Sequence, residues 1–466
     1  PDPAPSSTDP VDPPPPSRRV LTLQEAQQQL LDASFELRLN EQTLNQVKLL
    51  ETQALSIWIP TISVAARYTL RDQEITLAFP NPLSALTPYL DSVYQGDPAL
   101  QQLLAQNPQI PDARVLASTP SEPSVVQFRH NYQLVGTVSQ TLFNARAFPL
   151  LNLADLSVLR AQHAKQEIAY QLNAALNQLY FNAVQFRRLI RVSQRNAQLA
   201  RIPLERATAA ADAGVGNRFE VTRAKVNLSK AEREVTRAQL AYSLSTQALA
   251  SFLLTDNDFD IADPPQLSPP SSCCDALRDQ AQASRPDLRG ADLTIAFEQE
   301  RIRENEATYW PVMSAELQGV VQRASAFSGN PFFWTLTIQA QWVLFDGGFR
   351  NTETQTREIA AAQSEIRREQ LLSKIDADLQ STWLRIQAQE VTLASARAEV
   401  AFAEENLTAA RDAQSLGAAT SLEVDLAQEQ LYLSELSSTS AEVERQALIY
   451  DLYRIAGQTD VAPQSP

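Results

Sequence analysis

Trp334-Thr335-Leu336-Thr337-Ile338-Gln339-Ala340-Gln341-Trp342-Val343-Leu344 is the stretch whose pattern decides the fold of this chain. Trp334, Leu336, Ile338, Ala340, Trp342 and Leu344 are apolar, whereas Thr335, Thr337, Gln339 and Gln341 are polar. A period of two places successive side chains on opposite faces of a strand. One apolar and one polar face over about ten residues suits a tilted strand of a membrane barrel, with lipid outside and water inside. A half-buried strand of a soluble sheet alternates in the same way, so its surroundings must separate the two.

Three more stretches share the pattern. From Thr61, the residues Ile62, Val64, Ala66, Tyr68 and Leu70 oppose Thr61, Ser63, Ala65, Arg67 and Thr69. Near 132–142, Tyr132, Leu134, Val138 and Leu142 oppose Gln133, Thr137, Ser139 and Thr141. Met313, Ala315, Leu317 and Val321 oppose Ser314, Glu316, Gln318 and Gln322. Trp58, Tyr68, Tyr132, Trp310, Phe333, Trp334 and Trp342 gather at strand ends, as an aromatic girdle at a membrane interface would. Four strands cannot close a barrel, and open edges are not tolerated in lipid. Three chains would supply twelve strands, an even count within the range of bacterial barrels.

The chain is duplicated around these strands. Gly214, Glu220, Val221, Ala224, Leu228, Glu232 and Leu249 reappear 203 positions later as Gly417, Glu423, Val424, Ala427, Leu431, Glu435 and Leu452. Leu142-Phe143-Asn144 returns 202 positions later as Leu344-Phe345-Asp346, and Pro60 returns 251 positions later as Pro311. The fall in offset from 251 to 202 gives the first half 49 extra residues, placed near 72–130 and dense in proline. That segment reads as a long loop. The organisation expected is a Pro-rich disordered segment (1–19), a first repeat (20–254), a connector (255–274), a second repeat (275–457) and a tail (458–466).

The rest is helical by composition. Residues 21–56, 150–212, 217–254, 275–308, 348–415 and 420–456 contain only Pro203 and Pro286 as internal prolines. Only 11 glycines occur among 466 residues, while Ala, Gln, Leu, Glu and Arg abound, the usage of long helices. A helix of about 65 residues runs roughly 100 Å at 1.5 Å per residue, a length that implies coiled-coil packing or a span between distant places. The fold class expected is therefore mainly α with membrane β: long coiled-coil helices forming an α-barrel, and four strands per chain contributing to a 12-stranded trimeric transmembrane β-barrel.

In their order and spacing these segments resemble the TolC-like outer-membrane efflux proteins. The resemblance rests on Leu21-Thr22-Leu23-Gln24-Glu25-Ala26 near the start, Ser284-Arg285-Pro286-Asp287-Leu288 opening the second repeat, and Trp342-Val343-Leu344-Phe345-Asp346-Gly347-Gly348 leaving the last strand. It also rests on two turns, Ala213-Gly214 through Glu220-Val221 and Leu416-Gly417 through Glu423-Val424, and covers about 20–457. The resemblance implies a homotrimer in the outer membrane with a periplasmic helical extension. Such a duct passively conducts substrates from an inner-membrane transporter and a periplasmic adaptor, in tripartite efflux or type I secretion. It implies tip turns at Gly214, Glu220 and Gly417, and a periplasmic gate of carboxylates beyond the second turn. The first gate acid falls on Glu423. The second falls on Leu426, which leaves Asp425 as the nearest carboxylate, about 100° round the helix. Without the family, Glu423 reads equally as a helix-start acid behind an N-cap at Thr420 or Ser421, and Glu220 as its counterpart in the first repeat.

A net charge of −15 gives a polyanion no basic stretch to engage, so nucleic acid is not an expected partner. No apolar run reaches the roughly 18 residues of a membrane helix. His130 and His163 lack partners for a triad or metal site, and neither a Walker loop nor G-x-S-x-G nor H-E-x-x-H is present. The chain therefore reads as a non-enzyme without cofactor or metal. Cys273 and Cys274 are adjacent, where normal disulfide geometry is hard to reach. A periplasmic coiled-coil adaptor or scaffold would share the helices, but it has no need of alternating strands with tryptophans at their ends.

Overall fold

The structure is a computed structural model that describes residues 19–458 apart from 79, 80, 83, 119–122, 271–273 and 324–329. The Pro-rich segment up to residue 18, Cys273 and the tail beyond 458 lie outside the described residues. The elements in the first part are β1 (Arg19–Leu21), α1 (Leu23–Ala33), α2 (Phe35–Leu55), β2 (Thr61–Leu70), β3 (Ile75–Leu77), α3 (Thr87–Gly96), α4 (Pro98–Gln106) and α5 (Ala113–Ser118). They continue with β4 (Ser124–Gln127), β5 (His130–Phe143), α6 (Ala147–Asp212), α7 (Arg218–Leu253) and β6 (Phe259–Ile261). The second part holds α8 (Asp275–Ser284), α9 (Pro286–Glu306), β7 (Val312–Gln322), β8 (Phe332–Gln341), α10 (Phe349–Ser415) and α11 (Ser421–Ile455).

Two expected helices are each broken once. Ser34 turns the chain to ψ 130°, and its hydroxyl accepts from Leu37 N at 3.4 Å, so α2 starts afresh behind a capping serine. Arg285 sits at ψ 126° because it precedes Pro286, whose ring excludes the helical region from its neighbour. Pro203, by contrast, is carried inside α6.

The chain divides into two compact units. One comprises Thr52–Leu151 and Arg303–Thr352 and is built on a four-stranded antiparallel sheet in the order β2-β5-β7-β8. Register places Ser63, Thr137, Gln318 and Thr335 in one polar row, and Ile62, Val138, Leu317 and Leu336 in the neighbouring apolar row. All of β8 and nearly all of β2 are exposed, so among the described residues nothing covers either face of these strands. The segment expected to be a loop holds a β3–β4 ribbon and the helices α3–α5. Its prolines misled because Pro88 and Pro98 sit in first helical turns, where proline costs no hydrogen bond. Asp97 caps α4 by accepting from Ala99 N and Leu100 N.

The other unit holds the remaining helices. Its largest core cluster surrounds a short parallel pair, β1 with β6, that joins the start of the chain to the connector. Arg19, expected in the disordered segment, belongs to this pair. Leu21 and Ile261 are fully buried there, and the Tyr180 hydroxyl donates to Leu21 O (3.0 Å) and Ala262 O (2.9 Å). Along α10 the buried residues Ile375, Leu379, Thr382, Ile386, Leu393, Ala396, Ala403 and Leu407 are spaced by three, four or seven residues, the seam of a coiled coil. On the same helix Ile359, Ile366, Leu384, Val391 and Phe402 remain exposed. Cys274 is disulfide-bonded, against the expectation for adjacent cysteines; its backbone is turned to φ +86°.

Two motifs acquire physical content in this unit. In Leu21-Thr22-Leu23-Gln24-Glu25-Ala26, Thr22 and Glu25 form a capping box at the start of α1 while Leu21, Leu23 and Ala26 are buried. In Ser284-Arg285-Pro286-Asp287-Leu288, the buried Arg285 grips Asp287 through Nε (3.0 Å) and Nη2 (2.6 Å). Its Nη1 donates to Ile455 O, fastening the start of α9 to the end of α11.

Candidate functional site at the paired helix turns

The two longest helices end alike. After α6, Gly214 adopts φ +77°; its N–H donates to Ala211 O and that of Val215 to Ala210 O. After α10, Gly417 adopts φ +73°; its N–H donates to Gln414 O and that of Ala418 to Ala413 O. Both are double-bonded left-handed helix closures, which favour glycine. The next helices are then capped: Asn217 Oδ1 accepts from Phe219 N at the start of α7, and Thr420 with Glu423 forms a capping box at the start of α11.

The two turns touch through polar groups. Ser421 Oγ donates to Glu220 Oε2 at 2.6 Å. Arg223 lies between two acids, with Nη2 at 3.3 Å from Glu220 Oε2 and Nε at 3.2 Å from Asp425 Oδ2. The contact to Asp425 is an ion pair not aligned as a hydrogen bond. Val424, Ala427 and Leu431 pack beneath against Ala403 and Leu407. The structure thus brings Glu220, Asp425 and both glycine turns together, and it selects Thr420 as the cap while Ser421 bonds to Glu220. Arg223 was not singled out in the sequence; its position three residues after Glu220, one face of a helix, was the available signal.

Glu423 and Asp425 stand in different environments. Glu423 is exposed, and its Oε2 accepts from Thr420 N (2.6 Å) and Thr420 Oγ1 (2.9 Å). The Thr420 backbone bond, then the hydroxyl bond, holds the Glu423 carboxyl below its ordinary value. Asp425 is half-buried, and burial pushes its carboxyl above the ordinary value against the opposing pull of Arg223.

The aromatic residues of the other unit fall at the two ends of the sheet. Trp58 precedes β2, Trp310 precedes β7 and Trp342 follows β8, which places all three at one end. Tyr68 pairs with Tyr132 toward the other end, and Trp334 is the third residue of β8 on the hairpin side. Trp310, Trp334, Trp342 and Tyr68 are exposed. Trp342 Nε1 donates to Tyr309 O (2.9 Å), Gln140 Nε2 to Trp58 O (2.9 Å), and Tyr68 Oη lies 2.8 Å from His130 Nδ1.

Residues 277–458 match the family described as outer membrane efflux protein. The matched segment includes the Arg285–Asp287 motif, β7, β8 and the turn at Gly417. No curated protein sequence matches the chain. In fold, the chain is similar to CusC, with a TM-score of 0.70 at 14% identity over 93% of this chain and 92% of that one. VceC of Vibrio cholerae, an outer membrane protein, gives 0.66 at 15% identity over 93% and 96%. The CmeC outer membrane channel of Campylobacter jejuni gives 0.68 at 11% over 93% and 85%.

Proposed function

We propose that this chain is the outer-membrane duct of a tripartite efflux or type I secretion assembly. It acts as a homotrimer that receives substrates from an inner-membrane transporter and a periplasmic adaptor and performs no chemistry on them. The observation that carries this is the β2-β5-β7-β8 sheet. Its apolar row is exposed, and among the described residues the outer edges of β2 and β8 pair with no further strand. An apolar face of this extent in water would be an aggregation site, and two open edges would recruit further strands. Three copies closed edge to edge give twelve strands, remove every edge and turn the apolar face to lipid. The exposed residues Ile359, Ile366, Leu384, Val391 and Phe402 on α10 offer further surface for neighbouring copies. An adaptor or scaffold has no use for this sheet.

Within the duct, we assign the constriction to Glu423, whose exposed carboxylate would form a ring of three. Asp425 ties the turns together through Arg223 instead. Purified in detergent, the chain should have the mass of a trimer and give conductance steps in a planar bilayer; a monomer without steps removes the proposal. Glu423→Gln should weaken block of the current by multivalent cations, since a ring of like charges favours cations. Unchanged block takes Glu423 out of the constriction and leaves the duct standing.

A further inference from the structure

Between the ends of α6 and α10 and the starts of α7 and α11 lies a cavity of about 340 Å³. This is far more than the roughly 30 Å³ that one water occupies. Arg206 and Arg411 line it, together with Gly216, Asn217, Glu220 and Asp425. The acids are already engaged, Glu220 by Ser421 and Arg223, and Asp425 by Arg223. The two arginines are not. Arg411 Nη2 is buried without a hydrogen-bond partner, and among the described residues neither Arg206 nor Arg411 takes part in an ion pair. The buried Arg411 N–H lacking an acceptor is costly, and the charge of the exposed Arg206 repels the same guanidinium.

We propose that this cavity is a binding site for a small tetrahedral oxyanion, inorganic phosphate or sulfate, held between Arg206 of α6 and Arg411 of α10. Arg223 also lines the cavity, and against Glu220 and Asp425 the three guanidiniums leave an excess of one positive charge for an anion to balance. A tetrahedron presents oxygens in the diverging directions from which two helices deliver donors. Burial, and after it the charge of Arg206, holds the Arg411 guanidinium below its ordinary value, the state that a bound anion would relieve. The helix C-terminal dipoles favour cations here, yet they supply no acceptor inside the cavity for Nη2. A bound anion would also fasten α6 to α10 beside the two turns and resist their separation.

The test is calorimetric titration of the purified full-length protein in detergent with inorganic phosphate at fixed ionic strength. Saturable binding is expected, with sulfate competing and acetate not. Arg411→Gln should weaken it at least tenfold and Arg411→Lys less, because an ammonium keeps the charge but loses the planar fork. Arg206 is exposed, so Arg206→Gln leaves the packing alone and should weaken binding in parallel. Absence of saturable heat, acetate competing as well as sulfate, or undiminished affinity in Arg206→Gln each overturns the proposal.

Discussion

Asp425 and Glu423 are two residues apart and should respond to protonation in opposite directions. Burial raises the carboxyl of Asp425 above its unfolded value of 3.8, so the folded chain holds that proton more tightly than the unfolded chain. Its contribution to stability is then present at low pH and is lost as pH rises through the raised value. Asp425→Asn removes that loss. The melting temperature of the variant relative to the parent should increase from below pH 3.8 towards neutrality and then level off. A difference that stays constant with pH, or favours the parent at neutral pH, means that the Arg223 ion pair outweighs the burial. Glu423 is the reverse case: Thr420 lowers its carboxyl, so its contribution is present above the ordinary value of 4.5 and fades as pH falls through the lowered one. Position in the chain foretold the Glu423 cap, because a threonine three residues before a glutamate at a helix start is a local pattern. It could not foretell the burial of Asp425, which Arg223 and the first turn impose from about 200 residues away.

The two turns between long helices look equivalent in sequence, yet one carries an extra constraint. Gly214 and Gly417 are held by left-handed backbone alone, with open space where a Cβ would stand. Gly216 is different: a Cβ there would lie 2.4 Å from Ala211 N and 2.6 Å from Ala210 C, both backbone atoms. Gly214→Ala should therefore cost about 1–2 kcal/mol, the ordinary penalty of a left-handed residue. Gly216→Ala should cost more, because the closing turn of α6 must move off the loop. Hydrogen exchange of the amides at 210–217 would read this as faster opening in Gly216→Ala than in Gly214→Ala; equal rates would show that the loop gives way freely. At this scale the sequence was most legible. Helix ends at 212 and 415, those at 253 and 455 to within one residue of the expected 254 and 456, and the bodies of all four long strands followed from period and punctuation, since each is decided by neighbours within one turn or pleat. β8 runs Phe332–Gln341, so it stops short of the Trp342–Leu344 end that alternation suggested. The breaks at Ser34 and Arg285, the helices inside the proline-dense segment and the β1–β6 pair were less legible. Ser34 reads as an interior helix residue, prolines at first helical turns mimic loop residues, and β1 finds its partner 240 positions further on.

For the whole molecule, everything turns on what covers the sheet. If lipid covers the apolar row of a twelve-stranded trimer and water fills the interior, the two faces of β8 must tolerate charge unequally. Ile338 is in the middle of the strand on the apolar face, and Thr337 beside it points to the polar one, across from Glu316. Ile338→Arg should cost about 2–4 kcal/mol in each chain if it faces the middle of a bilayer. With three copies per barrel, the yield of folded trimer in membranes should collapse. Thr337→Arg puts the same charge beside Glu316 in the water-filled interior and should assemble normally. A soluble sheet packed on a partner protein gives a different pattern, because a buried polar face would reject the Thr337 arginine as well. Recovery of heat-resistant trimer for both variants distinguishes the cases: loss at position 338 alone supports lipid outside, whereas equal recovery, or loss at both positions, refutes it. The comparison also isolates the barrel from the turns, since neither substitution touches the Glu220, Arg223 and Asp425 cluster.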